Sequence, residues 1–541
     1  MRHLYLFLSL LINKTFRSIR LVSDHGVELY APAFTPKHMN IVFTLLLPHL
    51  SRWKSLSILT DCWAPMYTAL TAINPFITRF GAPLLESLSL MRCNDLISFS
   101  PHFQPHHLKE PEFLNRGTAS QSHHSDLEWC PNMIPSLKYL SLRGVHVDWD
   151  ALGDSLSTSE TGLTSLELAS HSQDVRPSPY QFHKILSSSS GLRNLALSAS
   201  GPSIPEDTVV SYSAVHDTDY IPAHLPRLRN ITIGYRTAVE GRIALGLIDA
   251  PNTKELTLED VTYVGDPDII NAGPLLSYIG TRQFGEAHQN HRITASSELT
   301  LGHQAVQVAE KPLMSTSISC IHVNKDASES RTAAAFPLLE SVTLRGVKTC
   351  SQPLRVFLSS LSNLQHLELT RMSMQAIHAL LPSVTVQIIT HDDDDDCYTT
   401  SLDCPCPQLR SLCIRSFEQL DSQDVDFIVG SLPVERQIKG GACQLREVDI
   451  HVDAAAAAAA TSVVVPHFES SPNLKVNIIN DISSDGDDDG VGVGGDGDGD
   501  DYYDYEDGRQ DMDLEDPYEP GGAFNDPLFD EYYSLHFQTA R

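Results

Sequence analysis

Apolar positions along most of the chain repeat one phrase. Its clearest copies are PLLESLSLMRC at Pro83–Cys93, PSLKYLSLRGV at Pro135–Val145 and PLLESVTLRGV at Pro337–Val347. The shared core is L-x-x-L-x-L. Its alternating end has the period of a strand, so the two apolar residues share one face and the residue between them faces the other way. Further copies lie at Leu163/Leu166/Leu168, Leu192/Leu195/Leu197, Leu228/Ile231/Ile233, Leu364/Leu367/Leu369, Leu409/Leu412/Ile414 and Leu445/Val448/Ile450. Leu56/Ile58 opens the series, Thr253 stands in the first slot of the copy at Leu256/Leu258, and Val476/Ile478 is a weak last copy. Glu298–Leu301 and Ile318–Val323 read as degenerate copies. Between the strands the pattern predicts a buried helix over Met39–Leu47 ended by Pro48, a helix over Tyr67–Phe80 bent or interrupted near Pro75, and a short one over Tyr180–Leu186.

The central apolar positions are 56, 88, 140, 166, 195, 231, 256, 342, 367, 412 and 448, and seven of the ten steps between them span 25 to 36 residues. That period and phrase mark a leucine-rich repeat. A single such strand cannot cover its apolar side, so the copies must stack. The expected fold is therefore α/β, a leucine-rich-repeat solenoid over residues 38–480 with a curved parallel sheet and helices on the outer face. Irregular insertions are expected near 100–130, 265–335 and 385–405. Residues 1–37 are an extension or the start of the array, and 481–541 an acidic, disordered tail.

In such a sheet the residues between the apolar pairs line the open inner face. The candidate binding face is Ser89, Ser141, Arg143, Glu167, Thr232, Thr257, Thr343, Arg345, Glu368, Arg415 and Asp449. They are drawn from two outward positions per strand, a set that is small, mixed and mostly uncharged, with Arg143, Arg345 and Arg415 as scattered cations of the kind enriched at protein-binding hot spots. No Ser/His/Asp trio or acid pair is identifiable by spacing. The reading is therefore a non-enzymatic protein-binding array with no cofactor, no catalytic residue and no metal.

Charge sharpens this picture. The chain carries −30, of which the tail from Asp481 supplies −18, with twenty acids against Arg509 and Arg541. The body is only mildly acidic, which argues against a basic nucleic-acid groove. Ten scattered cysteines fit free thiols in the cytoplasm or nucleus. The apolar run Leu4–Ile12 is too short to span a bilayer, so no membrane partner is expected. Cys397, Cys404, Cys406 and Cys413 lack the paired-knuckle spacing of a zinc site. His102, His106, His107, His123 and His124 read as a solvated loop, and the run Asp392–Asp396 as an exposed one. In the tail, Asp485-x-Asp487-x-Asp489-Gly490 with Asp496 matches part of a calcium-loop pattern, but low-complexity Asp/Gly text produces such matches readily. The stretch Pro517–Phe537 mixes acids with Tyr518, Phe524, Phe529, Tyr532 and Tyr533. An alternative reading follows from the tail: an acidic regulatory or chaperone-like protein for a basic partner.

The wording LLLPHLSRWKSLSI at Leu45–Ile58, followed by GAPLLESLSLMRC at Gly81–Cys93, resembles the leucine-rich part of the F-box proteins expanded in mushroom-forming fungi. The likeness covers most of Met39–Ile450. It implies the substrate-binding part of a ubiquitin-ligase receptor. It also implies docking to the Skp adaptor and a cullin through an F-box. No Leu-Pro-x-Glu-type F-box start is present in residues 1–37, so the adaptor and cullin are partners only if an F-box lies upstream.

Overall fold

The computed structural model describes residues 19–22, 35–92, 102–115, 130, 132–158, 162–204, 221–262, 271–282, 319–321, 334–389, 397–417, 420, 422–453 and 474–481. All of these belong to one unit, Met1–Ser483. A second unit, Ser484–Arg541, lies outside the described residues and takes with it the calcium-loop match and the aromatic segment of the tail.

Thirteen strands form one sheet whose spatial order is the chain order. They are β1 (Ile19–Val22), β2 (Ser55–Thr60), β3 (Ser87–Arg92), β4 (Tyr139–Arg143), β5 (Ser165–Ala169), β6 (Asn194–Ser198), β7 (Asn230–Tyr235), β8 (Glu255–Asp260), β9 (Ser341–Arg345), β10 (His366–Thr370), β11 (Ser411–Arg415), β12 (Glu447–Asp453) and β13 (Lys475–Asp481). Every pairing is parallel. The register puts the eleven central positions of the phrase in a single row, extended by Ile19 at one end and Val476 at the other. Each of the eleven is at most 3 % exposed. The first-slot residues are buried as well. Thr253, the polar one, is satisfied by donating its hydroxyl to Ala250 O at 3.0 Å.

This buried row shares one continuous core with the helices. The helices are α1 (Pro36–Leu46), α2 (Trp63–Phe80), α3 (Trp149–Ser157), α4 (Pro179–Ser187), α5 (Ala238–Gly246), α6 (Gly273–Thr281), α7 (Ser351–Ser360), α8 (Met374–His378), α9 (Ser422–Asp426) and α10 (Leu432–Gly440), with a π-helical step at Phe427–Ser431 joining the last two. Packing between α1 and α2, α3 and α4, α5 and α6, α6 and α7, and α7 and α8 builds a helical layer in the same order as the strands. Local text sets the helix starts. Thr35 and Ser178 make capping boxes with His38 and Gln181, each followed by Pro at the first helical position, and Asp148 caps α3 through Ala151 N.

Two backbone devices repeat with the strands. At the entry edge, each repeat's N–H bonds back to the previous repeat's carbonyl in an unbroken series: Glu86 to Lys54, Lys138 to Glu86, and so on to Lys475 on Arg446. At the exit, in six of the eleven repeats the residue four places past the central position turns left-handed. Gly144, Ser170, Ala199, Gly346, Arg371 and Ser416 have φ between 47° and 63°. The N–H groups of Gly144, Ser170, Ala199, Gly346 and Arg371 each bond to the next strand, carrying the ladder one step past its end.

Several expectations are corrected. Of the two readings of residues 1–37, the start of the array holds for Ile19–Val22, because β1 pairs with β2 ahead of Leu56. Val476 and Ile478 belong to a full strand, although Ile478 is 44 % exposed. Ser319–Ile321 is not a degenerate copy in the main sheet. It pairs with Ser383–Ile389, which pairs antiparallel with Cys397–Asp403 in a separate three-stranded sheet. The insertion near 385–405 is thus partly ordered as this hairpin. The run Asp392–Asp396 and the stretch Glu298–Leu301 lie outside the described residues. As expected, α1 ends just before Pro48, and the chain goes on as a 3₁₀ turn over Leu47–Arg52. Pro75 is inside α2, which runs unbroken from Trp63.

Candidate recognition face

Because side chains alternate across the sheet, the residues between the buried pairs form a second row. Ser57, Ser89, Ser141, Glu167, Ala196, Thr232, Thr257, Thr343, Glu368, Cys413, Asp449 and Asn477 are partners strand to strand. The row beside it is Leu59, Met91, Arg143, Ala169, Ser198, Gly234, Glu259, Arg345, Thr370, Arg415, His451 and Ile479. All eleven candidate residues therefore fall on one face, in two adjacent rows, and each is half-buried or exposed. Asn477 and Ile479 extend the rows beyond those candidates.

The charged members are mostly neutralised within the face. Glu167 accepts from Ser141 Oγ at 2.8 Å and from Arg143 Nη2 at 3.0 Å. Arg415 Nε lies 3.5 Å from Glu368 Oε1 and donates to Cys413 Sγ at 3.4 Å. Asp449 accepts from Asn477 Nδ2 at 2.6 Å. Burial pushes the Cys413 thiol up, with Arg415 pulling the other way, so it is protonated at neutral pH. Arg345 has no ion pair among the described residues, and Ser57, Ser89, Thr232, Thr257 and Thr343 have no side-chain hydrogen bond to a described residue. These hydroxyls are free for a partner.

Below the exit ends of β3–β7 is a buried polar layer that the sequence pattern does not reveal. His171 sits between Ser200 Oγ, 2.9 Å from Nδ1, and Val145 O, 2.8 Å from Nε2. Arg176 and Glu240, both 5 % exposed, pair at 2.7 Å, and Glu240 also accepts from the N–H groups of Gly201 and Arg236. His146 stacks on Trp63 with ring centroids 4.6 Å apart, and its Nε2 meets Lys109 O. Phe103 packs edge-on to both rings, and its N–H donates to Asp174 Oδ1 at 2.8 Å. Residues 102–115, expected as a loose insertion, are therefore pinned to the array. Burial lowers the pKa of His146 to about 4 and that of His171 to about 3, so both are neutral at pH 7. A lone histidine just past a strand phrase gives no sequence signal of burial, because a solvated loop reads the same.

The cysteine group disperses. Cys406 is buried, donates to Leu358 O at 3.1 Å and has a pKa pushed up to about 12 by burial, whereas Cys413 is on the open face. Among the described residues no three His, Cys, Asp or Glu side chains gather as metal ligands, and no helix is long and apolar enough to cross a membrane. Comparison with known proteins found no family model that matches the chain and no matching curated protein.

Proposed function

We propose that the chain is a leucine-rich-repeat protein that binds another protein on the open face of its sheet, without catalysis. The observation carrying this reading is the in-register row from Ser57 to Asn477. Twelve consecutive strands present small or internally paired side chains there, while the opposite row is buried in the first eleven and half-buried in the last. A long surface of this kind suits an extended polypeptide partner. We further propose, from the resemblance to fungal F-box proteins, that the partner is a substrate selected for ubiquitination. The Skp adaptor and cullin would then be partners only if an F-box lies upstream. The acidic tail supports a second reading, in which a basic protein is held by charge.

The test is capture of partners by the purified chain, comparing wild type with a triple variant Ser141→Arg, Thr232→Arg, Thr343→Arg. Loss of a captured protein with an unchanged melting temperature supports the open-face reading. An identical captured set contradicts it. Deleting 481–541 separates the second reading, which expects loss of binding at low salt, and co-precipitation of a Skp adaptor tests the ligase assignment.

A further inference from the structure

A cleft of about 370 Å³ opens where the loops leaving β9 and β10 meet the start of α7. Its size is within the usual range for a small-ligand pocket. It is on the exit side of the repeats, beside the second row of the open face, whose Glu259 pairs with Arg371. Lys348 and Arg371 line it, and no Asp or Glu among the described residues does, in a chain whose acids outnumber its bases 68 to 38. Lys348 is exposed. Arg371 pairs with Glu259 at 3.5 Å but makes no side-chain hydrogen bond to a described residue, so its guanidinium donors remain available although its charge is partly balanced. Thr349 Oγ1 is buried in the wall with no hydrogen-bond partner. The apolar part of the lining comes from Leu354 and Met372, both nearly fully buried. Cys350, also in the lining, is the N-cap of α7 and makes no side-chain capping bond, which leaves the helix's first N–H groups open.

Two cations, an unpaired hydroxyl and an apolar wall define the ligand chemistry. We propose that this cleft binds an oxyanion carried on an apolar stem, as at the acidic end or a phosphorylated side chain of a peptide. Lys348 and Arg371 would hold the charge, Thr349 would donate a hydrogen bond, and Leu354 and Met372 would pack against the stem. The proposal does not depend on the open face binding a partner, and its test uses small probes, so the two can fail separately.

Cys350 is an exposed free thiol and reports occupancy directly. Alkylation of the full chain by iodoacetamide is followed at Cys350 by peptide mass spectrometry, with exposed Cys62 as the internal control. N-acetyl-leucine, N-acetyl-leucinamide and inorganic phosphate are the probes. With a Kd of about 1 mM, roughly 10 mM N-acetyl-leucine should slow alkylation of Cys350 about tenfold and leave Cys62 unchanged. The neutral amide should not protect. Protection by phosphate equal to that by N-acetyl-leucine assigns the site to phosphoryl groups, and weaker protection assigns it to carboxylates. Lys348→Gln with Arg371→Gln should abolish protection while the Cys62 rate stays at its wild-type value. Equal protection by the amide, no protection by either anion, or full protection in the double variant overturns the proposal.

Discussion

At the scale of single residues, the exit turn shows how one backbone requirement is met by different side chains. Gly144 and Gly346 stand in the repeated wording Leu-Arg-Gly-Val, and that part of the turn is readable from the sequence. Ser170, Ala199, Arg371 and Ser416 adopt the same left-handed conformation without the residue that favours it, so no local text announces them. A Cβ at Gly144 would meet Arg92 Cβ and Arg92 O at 3.4 Å in addition to the left-handed strain. Gly144→Ala should therefore cost about 1–2 kcal/mol, measurable by urea denaturation. The buried histidines set a pH dependence. Their folded pKa values, about 4 for His146 and about 3 for His171, lie below the unfolded value of about 6.5. Their neutral burial stabilises the fold in full above about pH 6.5, and that contribution is lost as pH falls toward and through the folded values. Thermal melts should thus decline from pH 6.5 to pH 4, and His171→Asn should flatten that decline. An equally steep decline in the variant would remove His171 from the account.

At the scale of the element, the phrase specifies what each strand buries, and the cost of breaking it depends on where the strand lies in the stack. Leu195, 1 % exposed, has strands on both sides, so Leu195→Ala should destabilise by about 2–5 kcal/mol. Ile478 occupies the equivalent position of the other buried row at the sheet's edge and is 44 % exposed, so Ile478→Ala should change stability by under about 0.5 kcal/mol. Matched denaturation curves distinguish a stacked array from unconnected sheets, in which the two losses would not follow strand position. The central strands were legible because Leu recurs with two periods at once, three and then two. β1 was harder to read because its wording, Phe16-x-x-Ile19-x-Leu21, keeps the spacing with Phe and Ile in place of Leu. Ser319–Ile321 shows the converse failure. Alternation identifies a strand but not its partner, and this one pairs with Ser383–Ile389 instead of joining the main sheet. Links between elements are carried by groups that a repeat pattern does not encode. Glu240, at the start of α5, holds Arg176, which precedes α4, and the backbone of Gly201 after β6. Removing its carboxylate strands a buried guanidinium, so Glu240→Ala should cost about 3–5 kcal/mol, read from the same denaturation experiment.

At the scale of the whole molecule, thirteen strands in chain order separate two environments. One side holds a continuous core running from α1 to β12, and the other carries two rows of small and internally paired side chains. The candidate face was readable in the sequence as a set, because a two-residue period places every intervening residue on the same side once the strands stack. Its internal ion pairs were not readable, because Arg143 with Glu167 and Arg415 with Glu368 meet only after register brings successive strands together. The most direct measurement is site-specific photo-crosslinking, with p-benzoylphenylalanine placed at Ser141 or Thr232 on the open face and at Asp154 on the solvent side of α3. The account expects the same partner to be crosslinked from both face positions and not from Asp154. Crosslinking confined to the helix position would contradict it.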